Sequence, residues 1–287
     1  MEILMQKKMQ VVQTLLDTLP FIKKFAGQTI VIKFGGAAQK SPDLKDKFAL
    51  DIVLMHLVGI RPVVVHGGGP KITQLLSDLG IDTEFVEGQR VTTKEAMRIV
   101  EMVLSGEVNK EIVSSLNDHG SKAIGISGKD AHFIQARAKD RSKWGYTGVI
   151  EDIHPEVVQN LMDEDFIPVI APIAASKDPG EPGFNINADL AASKIAVALK
   201  ASKVVFLTDT PGVLDADGKL IGTLGTEKIS LLKNEGVISG GMVPKVDACL
   251  EAINGGVQKA HIIDGRIEHS ILLEIFTSEG IGTQIVH

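Results

Sequence analysis

Short runs of apolar, mostly β-branched residues alternate along the chain with longer stretches in which apolar residues recur every three or four positions. The runs at residues 30–34, 62–66, 123–127, 166–171, 204–208 and 260–264 are apolar on consecutive positions rather than alternating. Strands covered on both faces read this way. Between them, Ile72, Leu75, Leu76 and Leu79 share one helical stripe behind Pro70, a residue suited to a first helical turn. Thr92-Thr93-Lys94-Glu95 reads as a capping box that opens a long helix through Met97, Val100, Val103 and Leu104. Asn187-Ala188-Asp189-Leu190 opens an alanine-rich helix reaching about Leu199. The alternation predicts an α/β fold with a mainly parallel central sheet and helices on both sides.

Three segments depart from this rhythm. Residues 140–150 hold the only Trp and the only Tyr, Trp144 and Tyr146, between glycines spaced like hairpin corners. Residues 176–183 form a loop rich in Pro and Gly, the best candidate for a boundary between lobes at 26–180 and 181–287. Within residues 1–25, Val11, Val12, Leu15, Leu16 and Leu19 follow helical spacing, and Pro20 precedes a second apolar stretch. This predicts an amphipathic helix kinked at Pro20. Its stripe needs a cover, and packing on its own domain is slightly favoured over packing on another subunit.

Composition narrows the chemistry. A chain of 287 residues has ample interior for a large domain or two lobes. A net charge of −6 and a pI near 5.8 argue against nucleic acid as a partner. Any anionic substrate must then be met by locally placed cations. Cys249 is the single cysteine, which excludes an internal disulfide and a cysteine metal site and suits helix packing. No apolar run has the length of a membrane span, and the first residues lack the order of a signal peptide, so a cytoplasmic location is expected.

Two lysines beside bare glycine backbone carry the strongest chemical signal. Val31-Ile32-Lys33-Phe34-Gly35-Gly36 ends a strand in paired glycines, and Gly240-Gly241-Met242-Val243-Pro244-Lys245 repeats the pairing. Between them lies His66-Gly67-Gly68-Gly69-Pro70, another strand end. Glycine lets backbone N–H groups approach an oxyanion, and lysine adds a point charge for phosphate. Each cluster alone could be a tight turn. Together they suggest a phosphoryl group held between two cations. Neither a Walker loop nor a G-x-G-x-x-G turn is present, which sets aside P-loop ATPases and weakens dinucleotide oxidoreductases. His66 reads as a turn residue rather than a catalyst.

Ile32-Lys33-Phe34-Gly35-Gly36, His66-Gly67-Gly68-Gly69-Pro70, Gln89-Arg90-Val91-Thr92, Asn185-Ile186-Asn187-Ala188-Asp189, Leu207-Thr208-Asp209 and Gly241-Met242-Val243-Pro244-Lys245 occur in that order. The set resembles the amino acid kinase family, and within it the branch that phosphorylates N-acetyl-L-glutamate. The resemblance implies an open αβα sandwich whose first lobe binds the amino acid and whose second binds ATP. It implies phosphorylation of the γ-carboxylate of N-acetyl-L-glutamate in arginine biosynthesis. Lys33 and Lys245 would stabilise the transition state, with Asp189 orienting both; as a plain structural residue Asp189 would be a helix N-cap. Gly68, Gly69, Arg90, Asn185 and Asn187 would bind the amino acid, and Gly35 and Gly36 the phosphates. Asp209, Thr210, Pro211, Gly212, Val213 and Leu214, with Val237, Ile238 and Ser239, would line the nucleotide pocket. The hairpin with Trp144 and Tyr146 would be a lid over the acetylated substrate. ATP would bring Mg²⁺ held mostly by phosphate and water, with no dedicated protein metal site.

The N-terminal helix and the C-terminal segment resemble the arginine-inhibited branch, in which dimers interlace through that helix into a hexamer, a trimer of dimers. Phe21, Lys203, Glu274 and Gly280 would then form the arginine site, with Phe21 where that branch often carries Tyr. Glu274 alone could equally be a solvated helix residue. Whether a PII-type signalling protein binds is undecided by any residue. The alternatives are another kinase of the family, acting on carbamate, aspartate, glutamate or UMP, or a non-catalytic arginine sensor on the same fold.

Overall fold

The computed structural model describes residues 2–39 and 41–287. Met1, at the head of the 1–25 segment, lies outside the described residues. The strands are β1 (Thr29–Phe34), β2 (Arg61–His66), β3 (Phe85–Val86), β4 (Gln89–Arg90), β5 (Ala123–Gly128), β6 (Ile134–Ala138) and β7 (Gly148–Ile153). They continue with β8 (Ile167–Ser176), β9 (Phe184–Asn185), β10 (Lys203–Thr208), β11 (Thr223–Gly225), β12 (Lys259–Asp264) and β13 (Thr283–Val286). One sheet runs in the order β11-β13-β12-β10-β1-β2-β8-β6-β7, with β5 and β9 also paired to β8. The centre is parallel from β12 through β10, β1 and β2 to β8. Strands β13, β7 and β9 add antiparallel pairs, and β3 and β4 form a separate hairpin.

The helices are α1 (Glu2–Phe25), α2 (Pro42–Leu57), α3 (Gly69–Asp78), α4 (Lys94–Glu101), α5 (Asn109–Asp118) and α6 (Arg141–Trp144). After these come α7 (Glu156–Asp163), α8 (Ala188–Ala198), α9 (Thr226–Asn234), α10 (Met242–Asn254) and α11 (Ser270–Ile275). Alternate strand residues feed two cores. Ile30, Ile32, Phe34 and Val64 pack with residues of α2 to α5 and α11. Val31, Val63, Val65 and Val204 pack with residues of α7, α8 and α10. Each fully buried side chain of this kind contributes about 1.5–3 kcal/mol over leaving it exposed. Apolar residues on both faces explain the consecutive runs, and the result is the expected αβα sandwich. The six predicted strands are β1, β2, β5, β8, β10 and β12.

Three expectations change. Strand β8 continues to Ser176, because Pro172 still leaves Ile173 and Ala175 free to pair with β9 and β6. Helix α1 carries Pro20 within one stretch from Glu2 to Phe25. The stripe of α1 does not cover its own domain: Val11 is 62% exposed and Leu15 64%, and among the described side chains of the helix only Phe25 is buried. The cap at the next helix slips by one residue, since Thr93 and not Thr92 accepts from the Ala96 N–H. Thr92 is instead committed to tertiary hydrogen bonds at the cleft described below. The long helix behind it is α4, a π-helical stretch at Met102–Val108, and α5. Cys249 is buried in α10, as helix packing requires.

Candidate active site

Parallel pairing brings the ends of the central strands level. Phe34 lies opposite His66, and Thr208 opposite Asp264. The glycine turns after β1 and β2 and the loop after β10 therefore leave one edge of the sheet side by side. That carboxyl edge is where open α/β sheets bind ligands. Helices α3, α8 and α10 begin with caps at Gly68, Asn187 and Gly241, so three positive helix ends are built by the same motifs.

At the centre stands Asp189. Lys33 Nζ lies 2.8 Å from its Oδ1, and Lys245 Nζ lies 3.6 Å from its Oδ2. The Lys33 contact is an ion pair that lacks good hydrogen-bond alignment, which leaves Oδ1 unsaturated. Burial pushes the Asp189 carboxyl up, yet the charges of Lys33 and Lys245 outweigh it and hold the group below the usual carboxylate range. Asp189 is not the helix cap; that role falls to Asn187, whose side chain accepts from the Asp189 and Leu190 N–H groups. Its neighbour is thereby free to face the lysines. Ser193, one turn further along, has its hydroxyl 3.0 Å from the Asp189 carbonyl and 2.7 Å from that of Ala248, which ties α8 to the helix bearing Lys245.

Next to this cluster opens a cleft lined by Gly67, Gly68, Gly69, Arg90, Asn185 and Asn187. Arg90 is buried, donating to Thr83 Oγ1, Thr73 Oγ1 and the Gly69 carbonyl. Among the described residues no carboxylate pairs with it. Burial alone draws its pKa down. A buried guanidinium without an internal anion is costly unless a ligand supplies one. Gly68 is glycine for space: a β-carbon there would stand 2.6 Å from Leu104 Cδ2, in the π-helical stretch. The loop with Trp144 and Tyr146 docks on this cleft, since the Tyr146 N–H donates to the Thr92 carbonyl. Thr92 Oγ1 contacts Thr147 Oγ1 at 3.0 Å and accepts from Asn185 Nδ2. Thr92 belongs to the Gln89-Arg90-Val91-Thr92 motif, whereas Thr147 and Phe85, which also line the cleft, were not foreseen from the sequence.

On the other side of the lysines, Gly36 adopts φ +67° and lies over the Thr208–Asp209 peptide. The loop 209–214 is pinned to β13, because the Val213 N–H donates to Thr283 Oγ1. Gly212 admits that contact, as a β-carbon would stand 2.6 Å from the same oxygen. Val213 and Ile238 are both buried in the core on the α8 and α10 side of the sheet. Thr210 Oγ1 is buried there without a partner, a polar atom suited to a bound ligand.

The third group of predicted residues assembles around a separate pocket. Phe21, Lys203, Glu274 and Gly280 line it together with Lys24, Phe25 and His261. Glu274 is no solvated residue. It is buried, its Oε1 contacts His261 Nδ1 at 2.6 Å, and its Oε2 accepts from the Ile281 and Gly282 N–H groups. Burial pushes Glu274 up, but the His261 hydrogen bond and charge and the two N–H donors bring it below its ordinary value. Burial draws Lys203 down to about 8, helped by Lys259. His261 was not foreseen; it is a polar residue inside an otherwise apolar strand.

Comparison with known proteins agrees with this geometry. The family model described as "Amino acid kinase family" matches residues 28–264. The chain belongs to the amino acid kinase family. It is 70% identical over 98% of its length to a protein named acetylglutamate kinase from a Nitratiruptor species, covering 99% of that relative. Among solved structures, an N-acetylglutamate synthase from Neisseria gonorrhoeae, complexed with coenzyme A and N-acetyl-glutamate, superposes with TM-score 0.85 at 27% identity. That match covers 96% of this chain and 63% of the synthase. The same synthase complexed with coenzyme A and L-arginine gives TM-score 0.82 at 26% identity, over 96% of this chain and 65% of the synthase. Among the described residues, no helix is long and apolar enough to cross a membrane.

Proposed function

We infer that the chain transfers the γ-phosphoryl group of ATP to the γ-carboxylate of N-acetyl-L-glutamate, forming N-acetyl-L-glutamyl 5-phosphate in arginine biosynthesis. The observation that carries this reading is the convergence of Lys33 and Lys245 on Asp189 beside a cleft holding the uncompensated Arg90 guanidinium. A carboxylate with a pKa of about 4.3 is ionised at neutral pH, so the nucleophile needs no general base. One carboxylate oxygen bonds to the γ-phosphorus as the bond to the bridging β,γ-oxygen breaks, and no proton moves.

The demand on the protein is electrostatic. Two anions must be brought together and the charge on the equatorial phosphoryl oxygens stabilised. Lys33 and Lys245 supply the fixed cations, and Asp189 holds both in place. The Gly36, Gly68 and Gly69 N–H groups serve as oxyanion donors, each worth about 3 kcal/mol of barrier. Arg90 and Asn185 receive the α-carboxylate and neighbouring groups of the substrate; the Asn187 oxygen is spent on its helix cap, leaving its amide for that task. Residues 209–214 and 237–239 hold the nucleotide, and the loop around Trp144 closes over the acetyl end. Mg²⁺ brought with ATP would be carried mostly by the phosphates and water. No step here depends on it.

Regulation follows the same logic. Lys203 and Glu274 present opposite charges in one pocket walled by Phe21, which fits the two ends of arginine as a feedback inhibitor. The exposed stripe of α1 suits contact with another copy of the chain, in a hexamer built as a trimer of dimers. Lobes at 26–180 and 181–287 then take acetylglutamate and ATP respectively, in the cytoplasm. Acetylglutamate-dependent ADP release tests the activity; turnover with aspartate or carbamate and none with acetylglutamate would overturn it.

A further inference from the structure

His66 is fully buried at the end of β2 and has no part in the transfer as described. Its Nδ1 lies 2.9 Å from the Gly67 carbonyl oxygen, and its Nε2 lies 3.1 Å from Asn109 Nδ2. The Asn109 carboxamide can be oriented in one way only. Its Nδ2 also faces the Val169 carbonyl at 2.9 Å, and its Oδ1 accepts from Lys110 Nζ at 2.9 Å. Asn109 itself is fully buried, and its side chain fills the space where a β-carbon on Gly125 would sit. An amide N–H₂ therefore points at His66 Nε2, which must accept. The imidazole proton is left on Nδ1, where it donates to the Gly67 carbonyl.

That carbonyl has a second donor, Gln39 Nε2 at 3.2 Å, which also donates to the Phe34 carbonyl at 3.1 Å. The Gly67 oxygen is thus held toward the interior from two directions. A trans peptide is planar, with its N–H opposite its C=O. Holding the Gly67 oxygen inward turns the Gly68 N–H outward, toward the cleft that Gly67, Gly68 and Gly69 line. Without this anchor a bare glycine peptide could rotate easily, since Gly67 and Gly68 carry no β-carbon to resist it.

We propose that His66 is a positioning residue: through the Gly67 carbonyl it aims the Gly68 N–H at the oxyanion, with Asn109 fixing the tautomer this requires. The inference rests on the reading of Gly68 as a donor to phosphoryl or substrate oxygens. Burial draws the imidazole down to about 4, so it stays neutral at physiological pH.

The test combines a spectroscopic and a kinetic measurement on the full chain. In ¹⁵N NMR at pH 7, His66 should carry its proton on Nδ1 with Nε2 bare; an Nε2–H tautomer or an imidazolium would overturn the proposal whether or not any variant folds. The Asn amide nitrogen in His66→Asn overlays Nδ1 and keeps the donor to Gly67, whereas the Gln amide in His66→Gln overlays Nε2 and loses it. His66→Gln should lower kcat about 10- to 100-fold with the KM for ATP nearly unchanged, and His66→Asn should recover most of that loss. Equal losses in both variants, or none in either, would show that His66 only fills space. Absence of acetylglutamate-dependent turnover in the unaltered chain would sink the kinase reading instead, and the tautomer would still report on the anchor.

Discussion

Gly35 is what lets Lys33 reach Asp189: a β-carbon at Gly35 would stand 2.5 Å from Lys33 Nζ and 3.0 Å from its Cε. The lysine side chain folds back over the backbone that follows it, and only a residue without a side chain leaves that path open. The glycine pair after β1 therefore shapes the cation as well as exposing N–H groups.

Because the obstructed atom is the tip of a flexible side chain, Gly35→Ala should cost little stability. It should displace the ammonium and lower kcat about 10- to 100-fold, since a misplacement near 1 Å is felt on that scale. Thermal melting beside steady-state kinetics checks this; normal turnover would mean that Lys33 has another route to the phosphate.

Arg90→Met should raise the KM for acetylglutamate at least about 30-fold while leaving the KM for ATP near normal, because the side chain lines only the amino-acid cleft. Arg90→Lys should not restore binding, as an ammonium cannot reproduce the guanidinium fork. Full rescue by lysine would remove the bidentate role.

Arginine inhibition should weaken as pH rises through about 8, where buried Lys203 loses its proton. The sign follows from the depressed value: below it the ammonium is present to meet a carboxylate, and above it the pocket offers a neutral amine beside His261, Glu274, Lys24 and Lys259. The half-inhibitory concentration should be about tenfold higher at pH 9 than at pH 7. Lys203→Met should abolish that dependence apart from titration of the inhibitor's own amino group. Identical pH curves for both proteins would exclude Lys203 from the site.

Removing residues 1–26 takes away Phe21, Lys24 and Phe25, one wall of that pocket, together with the exposed stripe of α1. The shortened chain should keep acetylglutamate phosphorylation but lose its arginine response, and its mass in solution should fall from a hexamer to a dimer. Retention of both hexamer and inhibition would contradict the role given to α1.

Much of this was readable beforehand. Buried parallel strands write their two-sided burial directly into the sequence, so β1, β2, β5, β10 and β12 stand out as apolar runs. Lys33 and Lys245 stand out because charged residues close to paired glycines have few structural reasons to exist, whereas Asp189 was marked only by the family resemblance. What stayed hidden depends on distant partners. The cap of α4 moved from Thr92 to Thr93 because Thr92 is spent on Thr147 and Asn185, contacts that no local pattern encodes. His261 lies inside a run read only as apolar, and the fold alone brings Glu274 against it. The open stripe of α1 shows the reverse case: periodicity marks an apolar face but not what covers it.

The most direct test of two cations acting on one phosphoryl group is the kcat of Lys33→Ala, Lys245→Ala and the double variant, with acetylglutamate and ATP saturating. Each single change should lower kcat at least about 100-fold, and the double change should cost less than the product of the two, because both groups act on the same charge. Near-normal turnover in either single variant, or losses that multiply independently, would contradict it.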